Sequence, residues 1–159
     1  MKEIIAFLTK MNKTISTMES ATGGYLASSI TNIDGSSLVF KFGAVTYSNE
    51  FKIKMGVDKD VIDEYSVYSI ETSHEMSKKI TEFTNSDYGV GITGKINRVD
   101  PFNNFGDDST IFLSVYDKKK DIYLDSTIKA IKETRLENKE LVLEEFIKLF
   151  KTIIKESQN

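Results

Sequence analysis

Three groups of residues in this sequence have types and spacing that suit chemistry. The first is Gly35-Ser36-Ser37, followed by Tyr47 and Lys52. A serine hydroxyl is a weak nucleophile until a base takes its proton. The sole histidine, His74, lies among charged residues and reads as a solvated surface side chain, which leaves lysine as the strong base. Lysine serves in that role when burial or nearby cations lower its pKa. A phenol can relay the proton or fix the lysine, so Ser37, Tyr47 and Lys52 suffice for amide hydrolysis by a Ser–Lys route. Spacing alone equally accommodates a capping serine, a core tyrosine and a surface lysine. The second group is Ser20-Ala21-Thr22-Gly23-Gly24. Free backbone N–H groups at a helix start, with glycines allowing close approach, hold anions. A tight turn with Thr22 as N-cap satisfies the same residues. The third is Arg135, whose planar fork suits phosphate or carboxylate, and suits a surface salt bridge equally well.

Other chemistries are excluded by composition. The absence of cysteine removes disulfides, thiol catalysis and thiolate metal sites, and a single histidine removes a His-rich metal centre. Asp107-Asp108 is an acidic pair of the solvated kind, and no metal is expected. There is no Walker loop and no G-x-G-x-x-G run. A net charge of -3 gives no electrostatic case for nucleic acid. Lys118-Lys119-Lys120 falls between two strand-like runs and reads as a solvated hairpin turn. No apolar run approaches the ~20 residues that span a bilayer, and Met-Lys-Glu-Ile-Ile opens without a signal-peptide core, so a cytoplasmic location is expected.

Helices and strands must bring these groups together. Ile4, Phe7, Leu8 and Met11 predict an amphipathic helix over 2–11. Residues 14–18 read as a core strand, and the Gly23-Gly24 turn leads into a helix from Tyr25, so the turn is a ligand-facing βα loop. Residues 40–47 predict a strand and 49–55 a short helix closed by Gly56. Ser69 is an N-cap for a helix running to about Phe83. Residues 88–93 are strand-like, 95–108 form a long irregular loop of a kind usually functional or mobile, and 109–116 with 122–128 form a hairpin. A final amphipathic helix is expected over 138–156. With no repeat or linker, the 159 residues suit one α/β domain, a three-layer α/β/α fold. The hairpin makes its β-sheet mixed.

Taken in order, these pieces resemble the CinA C-terminal family. Thr17-Met18-Glu19-Ser20-Ala21-Thr22-Gly23-Gly24 is similar to its T-x-E-S-[CA]-T-G-G segment. Gly35-Ser36-Ser37, Val45-Thr46-Tyr47-Ser48-Asn49-Glu50-Phe51-Lys52 and Gly91-Ile92-Thr93-Gly94 follow in register. The resemblance covers nearly the whole chain and implies a stand-alone nicotinamide mononucleotide deamidase, releasing ammonia without a cofactor. It assigns Ser37 as nucleophile, Tyr47 and Lys52 as its activators, and matches a family arginine with Arg135. Ser20, Thr22, Gly23, Gly24, Asn49, Gly94 and Arg135 are the expected substrate-binding residues, with the Thr22-Gly23-Gly24 turn and Arg135 expected to hold the phosphate. It implies a pyridine mononucleotide as the partner molecule and a homodimer or higher homo-oligomer. The chain departs from the pattern after Gly94, where Lys95-Ile96-Asn97-Arg98 stands in place of P-x-G-G. That departure supports an alternative, a catalytically degenerate module that binds a nucleotide or a protein partner without turnover.

Overall fold

The computed structural model describes residues 1–158. Six α-helices flank a five-stranded sheet. In chain order the elements are α1 (Lys2–Lys10), β1 (Ile15–Glu19), α2 (Tyr25–Thr31), β2 (Phe40–Val45), α3 (Asn49–Lys54), α4 (Lys59–Tyr65), α5 (Ile70–Thr84), β3 (Tyr88–Gly94), β4 (Thr110–Asp117), β5 (Ile122–Lys129) and α6 (Arg135–Glu156), with a single 3-10 turn at Ser36–Leu38. The strand order is β2-β1-β3-β4-β5. β1 pairs in parallel with both β2 and β3, while β4 runs antiparallel to β3 and to β5. The fold is therefore the expected α/β/α arrangement on a mixed sheet.

Alternation along β3 explains the two helical layers. Tyr88, Val90 and Ile92 point to one face, where they join Ile4, Leu8, Ile30, Phe146 and Phe150 of α1, α2 and α6 in the larger core. Gly89 and Gly91 point to the other face, against α5. There the contact is close and largely made by small hydroxylated side chains. Ser73 Oγ donates to the Gly91 carbonyl at 2.9 Å, and Ser77 Oγ lies 3.5 Å from Ser114 Oγ of β4. A smaller apolar cluster of Met18, Val57, Ile62, Val67, Met76 and Ile80 fills the rest of this face.

Two elements differ from expectation. α6 begins at Arg135, a turn earlier than its apolar stripe, because Thr134 and Glu137 form a reciprocal capping box. α4 was not expected at all; it is capped by Asp58 and buries only Ile62, too little to leave a periodic signal. The Lys118–Lys120 run does form the β4–β5 turn. His74 is half-buried rather than fully solvated: it lies 2.8 Å from Asp125 and stacks on Tyr123 with ring centroids 4.1 Å apart. Among the described residues no helix is long and apolar enough to cross a membrane.

The α5–β3 approach leaves no room for a side chain. A Cβ on Gly91 would sit 2.2 Å from the Ser73 carbonyl oxygen and 2.7 Å from the Ser77 nitrogen, both backbone atoms of α5. Gly91→Ala is expected to force the helix off the sheet and cost about 3 kcal/mol or more. The check is a thermal melt, with a fall on the order of 10 °C for a chain of this size; an unchanged melt would show that α5 shifts freely.

Candidate active site

The three parallel strands end on the same side of the sheet, and the loops leaving them surround a cavity of about 620 Å³. Ser20 and Ala21 follow β1, Tyr47 to Lys52 follow β2, and Gly94 ends β3 with Lys95 to Asn103 after it. β2 and β3 lie on opposite sides of β1. A crevice opens outside the carboxyl ends of strands at such a switch point, and it is the usual ligand position in open α/β sheets.

Ser20 is held by its neighbour. The Glu19 carboxylate is fully buried and accepts from Thr22 Oγ1 at 2.6 Å, Leu26 N at 3.1 Å and Ala27 N at 2.8 Å. It thus satisfies amide donors left free at the start of α2 and fixes the turn that begins at Ser20. Thr22 is therefore a structural partner of Glu19. Neither Gly23 nor Gly24 lines the cavity, and their positive φ values of 61° and 91° serve the turn. The structure therefore does not bring Thr22, Gly23 and Gly24, expected to bind an anion, to the cavity lining.

Lys52 comes from α3, a short helix whose first turn is closed by Ser48 Oγ accepting from Phe51 N at 3.3 Å. Only 1% of Lys52 is exposed. Its Nζ donates to the Thr46 carbonyl at 2.7 Å and to Ser20 Oγ at 3.0 Å. Burial lowers its pKa to about 8, with the nearby Asp100 carboxylate pulling the other way.

The structure does not bring Ser37 to this lysine. Ser37 is exposed in the 3-10 turn that precedes β2, whereas Lys52 follows the other end of that strand. A six-residue strand spans ~20 Å, so the expected Ser37–Lys52 pair is replaced by Ser20–Lys52. Tyr47 is not hydrogen-bonded to Lys52 either. It lies exposed at the cavity rim, where its hydroxyl is 3.5 Å from Arg135 Nη2, and the hydrogen bonds of Lys52 go elsewhere. Arg135, at the first turn of α6, also donates to the Ile96 carbonyl at 2.9 Å.

Sequence reasoning missed the far wall. Tyr68 donates to the Asp100 carboxylate, which also accepts from Asn103 Nδ2 at 2.8 Å. Asn49 Nδ2 donates to Asn103 Oδ1 at 3.1 Å, so the expected substrate contact Asn49 instead ties α3 to the loop. Gly94 lines the cavity at φ 147°, packed against Thr110 and Ile111. Asp107 and Asp108 pair with Lys129 and Lys95 respectively.

A buried Ser–Lys pair at the carboxyl ends of parallel strands, walled by a long loop, defines an α/β domain with a site suited to nucleophilic chemistry. The sequence matches the CinA C-terminal domain over residues 1–149, and the chain belongs to that family. A CinA-like protein of Kosmotoga olearia is 44% identical over 92 residues, 57% of this chain and 22% of the relative. The chain thus spans less than a quarter of the curated relatives it matches. Two solved structures share the fold. The competence/damage inducible protein CihA from Agrobacterium tumefaciens has a TM-score of 0.80 at 27% identity, covering 92% of this chain and 91% of that one. The competence or damage-inducible protein from Enterobacter asburiae has a TM-score of 0.83 at 19% identity, covering 97% and 94%.

The depressed Lys52 pKa makes stability depend on pH. Between about 8 and the ordinary 10.5 the unfolded chain holds a proton that the folded chain has lost. Folding stability therefore rises with pH across that window, by up to about 1.4 kcal/mol per unit. Urea melts from pH 7.5 to 10 should show this rise in the wild type relative to Lys52→Met. Parallel curves would mean that the ammonium is not desolvated.

Proposed function

We propose that this protein is an amidohydrolase acting on the carboxamide of a pyridine mononucleotide, nicotinamide mononucleotide, with Ser20 as nucleophile and Lys52 as base. The observation that carries the reading is the 3.0 Å contact between a buried lysine and Ser20 Oγ. With a pKa of about 8, about a tenth of Lys52 is neutral at pH 7. In that form its lone pair accepts the Ser20 proton while an N–H still donates to Thr46. Ser20 Oγ then adds to the carboxamide carbon, and the proton on Lys52 passes to the departing nitrogen to give ammonia. Water, deprotonated by Lys52, cleaves the resulting ester and regenerates Ser20. Ala21 lines the same cavity directly after the nucleophile, and its amide N–H is the natural donor to the oxyanion. Val67, Tyr68 and Ile96 offer apolar wall for the pyridine ring.

Family membership supports the reading at the level of the domain, and the Ser20–Lys52 contact favours a nucleophile different from the one the motif resemblance implies. Ammonia release from nicotinamide mononucleotide tests both. Ser20→Ala is expected to lower turnover by about a thousandfold or more while the protein stays folded, its thermal melt lowered by the loss of one of the two Lys52 acceptors. Ser37→Ala is expected to stay within a few-fold of wild type. The reverse pattern would restore Ser37 and imply that it reaches the site by another route.

Asp100 supplies a second test. Its charge holds the Lys52 pKa up against burial, whereas an asparagine there still accepts from Tyr68. Asp100→Asn should therefore move the acidic limb of the kcat/KM profile to lower pH. An unmoved limb would mean that Lys52 is not the titrating base.

A further inference from the structure

The cavity carries more positive charge than amide hydrolysis uses. Lys52, Lys95, Arg98 and Arg135 line it against the one carboxylate of Asp100, in a chain whose net charge is -3 and whose only two arginines are these. Lys52 is committed to Ser20 and Thr46. Arg135 is engaged with Ile96 and Tyr47.

Lys95 is differently placed. It is 4% exposed, yet its ammonium makes a single hydrogen bond, 3.1 Å to Asp108 Oδ1, and otherwise lies over the Tyr68 ring, 5.0 Å from the centroid. An ammonium has three N–H donors, so two find no acceptor among the described residues. Its charge is paired with Asp108, but N–H donors withdrawn from water are held at a cost unless an acceptor in the cavity meets them. Arg98, three residues on, is exposed and makes no side-chain hydrogen bond or ion pair among the described residues. Both belong to the stretch where the sequence departs from the glycine-rich pattern it otherwise resembles.

Resting on the amidohydrolase reading above, we infer that Lys95 and Arg98 bind the phosphate of a phosphomonoester substrate and make the site select a nucleotide over its nucleoside. A phosphomonoester offers three charged oxygens. It can fill both unpaired Lys95 donors and still accept the Arg98 fork, which suits two acceptors at once. A nucleoside, which lacks the phosphate, would leave the same donors unpaired, and a site with unpaired buried donors rejects such a ligand strongly.

The test compares kcat/KM for nicotinamide mononucleotide and nicotinamide riboside in wild type, Lys95→Met and Arg98→Gln, with nicotinate mononucleotide binding measured by thermal shift. The mononucleotide-to-riboside ratio is expected to fall at least tenfold in each variant, and nicotinate mononucleotide affinity to fall in step. Arg98→Gln alters an exposed side chain without partners, so it reports even if Lys95→Met fails to fold. Hydrolysis with an unchanged ratio in Arg98→Gln, and in Lys95→Met where that variant folds, would overturn the phosphate subsite and leave the hydrolase. Binding of nicotinate mononucleotide that depends on Lys95 and Arg98, without ammonia release by the wild type, would keep the subsite and remove the hydrolase. Neither binding nor turnover would overturn both.

Discussion

A buried ammonium must be given acceptors, and the site of this protein is organised around that requirement. Lys52 is nearly removed from water, and taking a charge out of water costs several kcal/mol unless hydrogen bonds replace the lost hydration. The Thr46 carbonyl and Ser20 hydroxyl provide them. Thr46 can do so because its own amide is tied to the Glu19 carbonyl at 2.8 Å, which extends the β1–β2 pairing by one residue beyond the strand. Ser20 can do so because the Glu19 side chain caps α2. One residue thus fixes both acceptors, its main chain serving one and its side chain the other. Glu19 and Lys52 are opposite charges, both buried, and each is satisfied by dipoles. Lys52 consequently lacks a carboxylate in direct contact, which would have kept its pKa high and made it a poor base.

Much of the framework was legible in the sequence. The β4–β5 hairpin, the Ser69 cap of α5 and the glycine turn before α2 all follow from local rules, because two-residue alternation, helical spacing and cap chemistry act over a few residues. The start of α6 was legible too, in the Thr134–Glu137 spacing, but that signal lies in polar residues outside the apolar stripe. The site itself was only half legible. Ser37 is nearer to Lys52 in sequence than Ser20 is, and this nearness misleads because β2 carries the chain from one end of the sheet to the other. Ser20 and Lys52 meet because β1 and β2 are parallel neighbours, so the residues after each strand end up together. Topology supplied that contact, and no spacing rule encodes it.

Tyr47 and Asn49 illustrate the same limit at shorter range. Both stand in the segment that resembles the family motif, and both reach the cavity. Their side chains nevertheless turn toward Arg135 and Asn103, residues far away in sequence. A motif fixes which residues approach a site. The partners that arrive from other strands decide what each of them touches.

Strand direction also explains why the loop after β3 belongs to the site. A crossover from β3 to a parallel neighbour would have carried the chain away to the other end of the sheet. β4 is instead antiparallel, so it starts where β3 stops, and Lys95 N bonds the Thr110 carbonyl at 2.9 Å. Everything between those two residues must leave and return at the carboxyl ends of the parallel strands. The loop is therefore held over the cavity by connectivity before any side chain contributes, and Tyr68–Asp100 and Asn49–Asn103 only set its height. A segment so confined can change its sequence without leaving the site. Lys95 and Arg98 stand there in place of a proline and a glycine of the pattern the chain resembles, while Ser20 and Lys52, fixed from β1 and β2, keep their contact.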